Sequence, residues 1–404
     1  MVRIFNVTGA CNPQLHYTVN IQDKLEQIKK LIDNGDYFTI NRARQYGKTT
    51  TINALTEYLK KEFIVLSLDF QMIGNAKFAT ENAFSRAFSN YLLRVVKNPL
   101  APIQGINLSI LENIAECARK DEFFALDDMF QLLSQMCADA EKPIVLIIDE
   151  VDSATNNEVF LDFLGLLRGY YLARTAKKVP TFQSVILAGV YDVKNMKRKI
   201  RTEEQHKVNS PWNIAADFQV DMSFSKEGIA GMLKQYEEDY HTGMDIEKIS
   251  GLIYEYTSGY PFLVSRICKL IDERIAGGNE FPDRKTAWTT AGFVEAVKIL
   301  ITEKNTLFDS LTGKLVNYPE LKTMLSSILF EGKSIPFVIT NPSIEMAAML
   351  GFIKNESNMV MVSNRIFESV LYNHMLSEEI VGNRVYASAL SDKNQFVVNG
   401  HLGR

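Results

Sequence analysis

The segment with the clearest chemical pattern reads NRARQYGKTT and covers residues 41–50. A phosphate-binding loop needs backbone N–H groups at the start of a helix, a Lys for the β- and γ-phosphates, and a Ser or Thr hydroxyl for Mg²⁺. Gly47, Lys48 and Thr49 provide these features, although Arg42 stands where the pattern GxxxxGK[ST] has its first Gly. Taken alone, the segment also fits an ordinary helix start with a surface lysine.

A run of apolar residues that ends in two carboxylates gives a second signal. Residues 144–150 read IVLIIDE, and such a run without polar alternation is typical of a strand that is buried on both faces of a sheet. Ligands of open α/β sheets bind at the carboxyl ends of these strands. We expect Asp149 to hold Mg²⁺, directly or through water, and Glu150 to orient and polarise the attacking water. The alternative is a strand that ends in solvated acids.

Together the two motifs predict a site that uses ATP and Mg²⁺. They lie about 100 residues apart, a long separation that a helical insert between them explains. The function they favour is a Mg²⁺-dependent ATPase that acts as a nucleotide-driven switch. The alternative is a regulatory or adaptor module that binds nucleotide with little hydrolysis and acts through a protein or DNA partner. The predicted catalytic residues are Lys48 and Glu150, and the predicted Mg²⁺ ligands are Thr49 and Asp149. The predicted nucleotide contacts are Arg44, Gln45, Tyr46, Gly47, Lys48, Thr49 and Thr50.

Strand-like and helix-like segments alternate around these motifs, which predicts an α/β unit with a mainly parallel sheet. Beyond Ser225 helices predominate to about Glu303, and Leu307–Leu376 mixes helices with a hairpin-like stretch around Asn355–Asn358. The strands are predicted at Tyr37–Ile40, Phe63–Phe70, Ile144–Asp149, Ser184–Val190 and Phe218–Phe224, and the helices at residues 25–35, Lys48–Lys61, Ala76–Ala140 with a break near residues 98–104, and Glu158–Arg174.

Four segments, NRARQYGKTTTINAL, VLIIDEVD, SVILAGVYDVKN and DFQVDMSFS, resemble the AAA-ATPase-like family of bacterial P-loop proteins, which is related to archaeal-type and STAND ATPases. The resemblance covers most of the chain. In that family the first P-loop glycine is commonly Arg, so Arg42 is expected. The resemblance implies a P-loop NTPase core of the ASCE/AAA-like type, which has an additional strand in its parallel sheet. The implied domains are a lead-in at 1–35, the ATPase core at 36–225, a helical lid at 226–303, a winged-helix-like domain at 304–376 and a tail or connector at 377–404.

The resemblance also suggests further site residues. The segment TSGYPF, residues 257–262, is similar to a lid segment of STAND ATPases, which implies that Pro261 lies near the adenine; the alternative is a plain corner between helices. His16 and Tyr17 belong to a lead-in that either packs against the adenine side or straps the core. Many AAA+ proteins place a polar sensor after the fourth strand, where Tyr191 and Asp192 are equal candidates.

Several basic residues could contact phosphates. Arg168 and Arg174 follow the carboxylate motif, and either would serve as an arginine finger; the alternative is a pair of surface arginines. Residues 194–201 hold five basic residues, and a solvated charged loop is the other interpretation of them. Within the winged-helix-like domain, the stretch Ile344–His374 carries only two Lys or Arg residues, Lys354 and Arg365, which argues against strong DNA affinity.

The last residues of the sequence bear on possible partners. NQFVVNG, residues 394–400, resembles the connector that leads into a PD-(D/E)XK nuclease domain in many relatives. Because the sequence stops at Arg404, we expect no nuclease activity in this chain. The expected origin is either a natural truncation or a partial reading frame. A separate nuclease or another protein is then a candidate partner.

Composition narrows the class of protein. The 404 residues are 46% hydrophobic and 23% charged, with a net charge of −4, which excludes a disordered or collagen-like chain and a bulk polycation. The length predicts two or three domains. Four dispersed cysteines and no histidines at ligand spacing argue against a zinc site or a disulfide framework and favour the cytoplasm. The longest strongly apolar run, Ile144–Ile148, is too short to cross a membrane, so no membrane partner is expected.

Overall fold

The computed structural model describes residues 3–190, 212–382, 397–398 and 401–402. None of the helices within these ranges is long and apolar enough to cross a membrane. The strands are β1 (Phe38–Asn41), β2 (Ile64–Asp69), β3 (Ile144–Asp149), β4 (Ser184–Gly189), β5 (Ile353–Glu356), β6 (Met359–Val362), β7 (Val397–Val398) and β8 (His401–Leu402). The helices are α1 (Gln22–Asp33), α2 (Lys48–Leu59), α3 (Glu81–Val96), α4 (Leu108–Lys120), α5 (Leu126–Asp139), α6 (Glu158–Lys177), α7 (Lys226–Tyr240), α8 (Ile246–Thr257), α9 (Pro261–Leu270), α10 (Arg284–Ala287), α11 (Thr290–Thr302), α12 (Thr306–Asn317), α13 (Pro319–Leu329), α14 (Pro342–Met349) and α15 (Arg365–Gly382).

The chain folds into two compact units, each made of more than one segment. The core unit comprises Thr8–Asn12 and Asn20–Met222. The helical unit comprises Met1–Val7, Pro13–Val19 and Ser223–Arg404. The finer division into lead-in, core, lid, winged-helix-like domain and tail stays a prediction.

The core unit is organised around a parallel sheet with the strand order β1–β4–β3–β2. Because all pairs are parallel, the strands end at one edge, which we call the carboxyl edge. There Asn41 faces Gly189 across β1 and β4, and Asp69 faces Asp149 across β2 and β3. The strand β4 lies between the two strands that carry the predicted motifs, which confirms the additional-strand core.

Both faces of the sheet are buried, as the unbroken apolar runs require. Every residue of β3 and β4 is buried. Alternate residues point to opposite faces: Leu146 and Ile148 pack in a cluster with aromatic residues of α3, α5 and α6, whereas Val145 and Ile147 pack with α1 and α2. The period of two along each strand therefore fixes which helices cover which face.

The predicted fifth strand at Phe218–Phe224 is wrong. Only Ala216 joins the sheet, through a bridge to Phe38 and a hydrogen bond from its N–H to the Tyr37 carbonyl (2.8 Å). Farther along, the Val220 carbonyl accepts a hydrogen bond from the Arg42 guanidinium (2.9 Å). Val220 and Met222 are buried as in a strand, but the backbone of the segment bonds to the Arg42 side chain and, through the Phe224 N–H, to the Gly259 carbonyl (2.8 Å) instead of to a neighbouring strand.

The helical insert between the motifs differs from the prediction in one respect. The break near residues 98–104 is present, because α3 ends at Val96 and α4 begins at Leu108. A second break, unpredicted, separates Lys120 from Leu126. There the side chain of Asp121 accepts a hydrogen bond from the N–H of Phe123 (2.9 Å). Asp residues compete with helical hydrogen bonding in this way, and the local bond ends the helical run.

The lead-in contributes to the helical unit through a buried aromatic cluster. The rings of Phe5, Tyr17, Tyr236 and Trp288 pack with centroid distances of 4.8–5.9 Å. The Tyr17 hydroxyl donates to Asp239 (2.8 Å). Tyr17 therefore packs within the helical unit. The two predicted alternatives, a contact with the adenine side and a strap over the ATPase core, stay predictions.

The predicted hairpin is formed by β5 and β6. Its turn lies at Ser357 and Asn358, which both have positive φ (52° and 64°), the conformation that two-residue hairpins favour. The prediction placed the turn too early, since Asn355 and Glu356 belong to β5. The helix α14 precedes the hairpin, and the segment around Pro336 pairs with Met359. The likeness of this region to a winged helix stays a prediction.

Candidate nucleotide-binding site

The loop between β1 and α2 has the backbone shape that phosphate binding needs. Gly47 has φ 78° and immediately precedes α2, and Gln45 has φ 56°. Left-handed residues next to right-handed ones turn successive N–H groups toward one point and form an anion-binding concavity. Gly at position 47 adopts this conformation without the steric cost that a side chain brings.

Lys48 lies buried beneath this loop. Its Nζ donates hydrogen bonds to the carbonyls of Arg42 (2.9 Å) and Ala43 (3.1 Å). Burial lowers its pKa, and the negative charges of Glu150 and Asp149 act in the opposite direction. The lysine therefore places a poorly solvated positive charge against the loop backbone, where a phosphate oxygen would bind.

The two motifs meet at a hydrogen bond between residues 100 positions apart. Thr49 Oγ1 donates to Asp149 Oδ2 (3.0 Å), while Asp149 Oδ1 accepts from the Glu150 N–H (2.9 Å). Asp149 is buried, and its burial raises the pKa of the carboxyl. A hydroxyl and a carboxylate at this separation are hard oxygen ligands of the kind that Mg²⁺ takes from proteins, usually one or two per ion.

Glu150 directly follows β3 in a left-handed backbone conformation with φ 53°. This conformation is uncommon for a residue that is not Gly, Asn or Asp. The N–H and hydroxyl of Ser153 both donate to the Glu150 carbonyl (3.1 and 2.9 Å) and hold the turn. Burial and the neighbouring Asp149 charge raise the pKa of Glu150. A carboxylate with a raised pKa beside a buried lysine is typical of a functional site.

Two further carboxylates at this edge were not singled out by the sequence pattern. Asp69 ends β2 in register with Asp149, and its charge contributes to the raised pKa of Asp149 and Glu150. Asp152 Oδ2 accepts from the Val190 N–H (2.6 Å) and joins the turn after β3 to the end of β4. The sequence did carry a signal for Asp69, because the segment FIVLSLDF also places an acid where a buried strand ends.

Arg42 occupies the position that differs from the GxxxxGK[ST] pattern. Its guanidinium donates to the carbonyls of Asn41 (2.8 Å) and Val220 (2.9 Å) and lies 5.3 Å from the centre of the Phe218 ring. Burial lowers its pKa. The side chain thus braces the loop against the segment that follows Ala216.

The other predicted loop residues line the outside of the loop. Arg44 and Gln45 are exposed, and Tyr46 is half-buried. The Thr50 hydroxyl accepts a hydrogen bond from the Cys11 N–H (3.0 Å), so the lead-in segment Thr8–Asn12 touches the first turn of α2 within the core unit. No pattern in the sequence indicates this contact.

The two candidate finger arginines occupy different places on α6. Arg174 donates to the carbonyls of Gly35 (2.7 Å) and Gln183 (2.9 Å), which precede β1 and β4. It therefore lies at the amino edge of the sheet, opposite the predicted motifs, and cannot act as a finger on a nucleotide of its own chain. Arg168 is half-buried near the middle of α6, and its role stays a prediction.

Three predicted residues lie outside the core unit's described part. Pro261 is buried at the first turn of α9 in the helical unit, and its role near adenine stays a prediction. Gly259, two residues before it, has φ 71°, and a Cβ there would lie 1.9 Å from the Phe224 carbonyl oxygen. The corner is therefore tightly packed. Tyr191 and Asp192, and the basic residues 194–201, lie outside the described residues.

Comparison with known proteins decides the family. A family model described as an AAA-like domain matches residues 14–373. The chain belongs to this AAA-like family. None of the curated proteins matches it significantly. The predicted AAA-ATPase-like relationship is therefore confirmed.

Solved structures support the fold of this AAA-like protein. It is similar to the Walker-type ATPase PABY2304 of Pyrococcus abyssi, with a TM-score of 0.58 and 14% identity over 91% of this chain and 99% of that one. The ADP form of the Aeropyrum pernix ORC2 protein gives 0.44 and 12% over 92% and 97%. The RuvB Holliday junction branch migration motor of Thermotoga maritima gives 0.38 and 12% over 88% and 95%. The first of these similarities confirms the P-loop ATPase fold predicted from the sequence.

Proposed function

We propose that this AAA-like protein binds ATP with Mg²⁺ at the carboxyl edge of its sheet and hydrolyses it as a nucleotide-driven switch. The observation that carries the proposal is the hydrogen bond between Thr49 and Asp149 (3.0 Å). It joins the two motifs at the place where a phosphate-bound Mg²⁺ needs its protein ligands.

Each residue of the site has a distinct task in this proposal. The loop N–H groups around Gly47 and the ammonium of Lys48 bind the phosphates. Thr49 and Asp149 hold Mg²⁺, which supplies neutralisation of phosphate charge when bound. Within the described residues, no group of three or more His, Cys, Asp or Glu side chains is arranged to hold a metal ion. A site with two protein ligands that completes its coordination with phosphates and water fits this donor set.

Glu150 is the proposed base. Its turn is fixed by Ser153, and burial raises its pKa above the ordinary glutamate value. A raised pKa brings a carboxylate closer to the operating pH, where proton transfer from water is more effective. The carboxylate would orient the attacking water and accept its proton.

The partner is the less supported part of the proposal. The two Lys or Arg residues of the stretch Ile344–His374 each pair with a carboxylate: Lys354 with Glu356 (3.0 Å) and Arg365 with Glu255 (2.8 Å). Pairs of this kind reduce the charge that is available for DNA phosphates. We therefore favour a protein partner, such as a separate nuclease, over DNA. Failure to detect salt-sensitive binding to duplex DNA at roughly 50 mM salt would agree with this choice.

Nucleotide binding is tested by the affinity of a fluorescent ATP analogue for the full chain. Lys48→Ala should lose at least about tenfold in affinity, because a charge-assisted hydrogen bond contributes about 1.5–3 kcal/mol and each 1.4 kcal/mol is tenfold. The matched control is Lys77→Ala, which removes an exposed lysine of the same unit and should bind as the wild type does. Equal affinities for Lys48→Ala and the wild type would refute the site.

A further inference from the structure

Arg42 contacts Lys48 of the predicted phosphate-binding loop through its main chain, and a different part of the core unit through its side chain. Its main-chain carbonyl accepts the hydrogen bond from Lys48 Nζ (2.9 Å). Its guanidinium holds the Val220 carbonyl (2.9 Å) and the face of Phe218. One residue therefore connects the buried lysine with the segment Ala216–Met222. We call this segment the connector; it is distinct from the C-terminal tail predicted at 377–404.

The connector is held loosely by the sheet and firmly by side chains. Its only described backbone hydrogen bond to the sheet is the one from Ala216 to Tyr37. Phe218 stacks on Phe38 of β1 with a centroid distance of 5.7 Å, and Val220 is buried. The Arg42 guanidinium thus bonds directly to the main chain of the connector at Val220.

The connector ends where the chain leaves the core unit. The boundary between the two units falls between Met222 and Ser223, two residues beyond Val220. A second boundary falls between Val19 and Asn20, just before α1. Lys24 of α1 and Arg42 both interact electrostatically with Asp221 of the connector. One boundary of the core unit therefore lies two residues after Val220, which Arg42 contacts. The other lies five residues before Lys24, which, like Arg42, interacts with Asp221.

Phosphate binding would change the hydrogen bonds of Arg42. Lys48 Nζ donates to the carbonyls of Arg42 and Ala43, and a phosphate oxygen would bind the same ammonium. The ammonium has a third N–H, which a phosphate oxygen takes. Because the attraction between the two charges draws Nζ toward the phosphate, the hydrogen bond to the Arg42 carbonyl changes and the main chain at position 42 adjusts.

We propose that Arg42 is a positioning residue that transmits phosphate binding at Lys48 to the connector. The inference rests on the proposed ATP binding and goes beyond it, because it assigns a task to the residue that replaces the first glycine. A glycine has no side chain to reach Val220. A lysine has one ammonium and lacks the planar fork with which Arg42 donates to two carbonyls at once.

The test is amide hydrogen exchange of the full chain, with and without the non-hydrolysable analogue AMP-PNP and Mg²⁺. In the wild type, exchange over residues 216–222 should slow by about fivefold on binding, the factor that corresponds to one net hydrogen bond. Arg42→Gly should still bind AMP-PNP through Lys48, but its exchange over these residues should be the same in both states. Arg42→Lys should retain less than half of the response. The control Arg94→Ala, at an exposed arginine of α3, should respond fully.

Each other outcome has a definite meaning. If the wild type fails to bind AMP-PNP, the proposed function is wrong. If it binds without any change in the connector, or if Arg42→Gly keeps the full difference between the two states, ATP binding stands and the task of Arg42 is refuted. If the amides of residues 216–222 exchange faster in Arg42→Gly in both states, and the difference between the two states is unchanged, Arg42 only braces the structure and the proposed transmission is refuted. If Arg42→Gly does not fold, Arg42→Lys decides, and a full response of that variant overturns the inference.

Discussion

At the amino edge of the sheet, the charged group of Arg174 is surrounded by carbonyls that accept its hydrogen bonds, and by the rings of Tyr37 and Tyr171. At the carboxyl edge, burial lowers the pKa of Lys48 and raises those of Asp149 and Glu150. Burial therefore disfavours the charged form of all three groups. At the amino edge the charge of Arg174 contributes to stability, whereas at the carboxyl edge the buried charges of Lys48, Asp149 and Glu150 lower it.

This contrast separates structural from functional roles among residues of similar type. Arg174 and Lys48 are both cations that donate to main-chain carbonyls next to β1. Arg174 is bonded to the carbonyls of the segments that precede β1 and β4. Lys48 lies beside three carboxylates and a loop of left-handed residues. Groups whose charges are buried at a cleft of this kind are candidates for catalysis.

The largest expected effect concerns hydrolysis at the carboxyl edge. Glu150→Gln should lower the rate of phosphate release by about 10²–10⁴-fold, the usual contribution of a general base. The affinity for ATP should change little, because Glu150 is not a proposed nucleotide contact. Steady-state phosphate release, together with binding of the fluorescent analogue, measures both quantities. Equal rates at background for both proteins would leave a binding module with little hydrolysis.

The amino edge should respond in stability instead of activity. Arg174→Ala should lower the free energy of unfolding by about 2–4 kcal/mol, since three partly buried carbonyls lose a charged donor. Its ATP affinity should stay at the wild-type value while the protein is folded. Urea unfolding of Arg174→Ala beside Arg94→Ala measures the effect, and the exposed Arg94 should cost less than about 0.5 kcal/mol. A loss of ATP affinity in folded Arg174→Ala would contradict the assignment of the two edges.

A glycine at the carboxyl edge tests how closely the turn after β3 packs on β4. A Cβ at Gly189 would lie 2.9 Å from Asp152 Oδ1 and from Val151 Cγ2. Gly189→Ala should therefore cost about 1–3 kcal/mol of stability through overpacking. The control is Gly169→Ala on α6, where no atom lies within 4 Å of the new Cβ, and it should stabilise by about 0.5–1 kcal/mol. Similar changes in both variants, measured by thermal unfolding, would show that the packing is loose.

The smallest effect concerns the pH dependence of stability. Because the pKa of Glu150 is raised in the folded state, the folded protein binds this proton more tightly than the unfolded chain does. Wild-type stability therefore falls as the pH rises from the ordinary glutamate pKa of about 4.3 through the raised value. Glu150→Gln lacks this loss, so its melting temperature should exceed that of the wild type at pH 7 and approach it near pH 4. A difference that is constant over this range would refute the raised pKa.

The sequence predicted the parts of the fold that depend on local pattern. Unbroken apolar runs located β3 with its observed bounds and β4 to within one residue, because a strand buried on both faces admits no polar alternation. The helix α1 was found from its period and from the Asn34-Gly35 end. The wrong fifth strand, FQVDMSF, alternates apolar and polar residues instead. Such a pattern shows which side chains are buried but does not show what the backbone bonds to. Val220 is buried as predicted for a strand, yet its carbonyl bonds to Arg42.

The site was predicted in part for the same reason. Lys48, Thr49, Asp149 and Glu150 are recognisable because the chemistry fixes their types and their spacing along the chain. Asp69, Asp152 and the brace formed by Arg42 were not recognised. Their partners lie in other segments, and the sequence has no periodicity that pairs position 42 with position 220. The difference between Arg168 and Arg174 was equally invisible, since it depends on which edge of the sheet each one reaches.

By itself, the sequence determined that this chain is an α/β protein with a P-loop and a carboxylate pair at strand ends. These features follow from residue type, period and order. Only the tertiary structure decided that Thr49 meets Asp149, that Arg174 belongs to the opposite edge, and that Arg42 ties the loop to the connector. The physical reason is that parallel strands bring distant residues to a common edge, and the hydrogen bonds formed there depend on three-dimensional register, which local propensity does not encode.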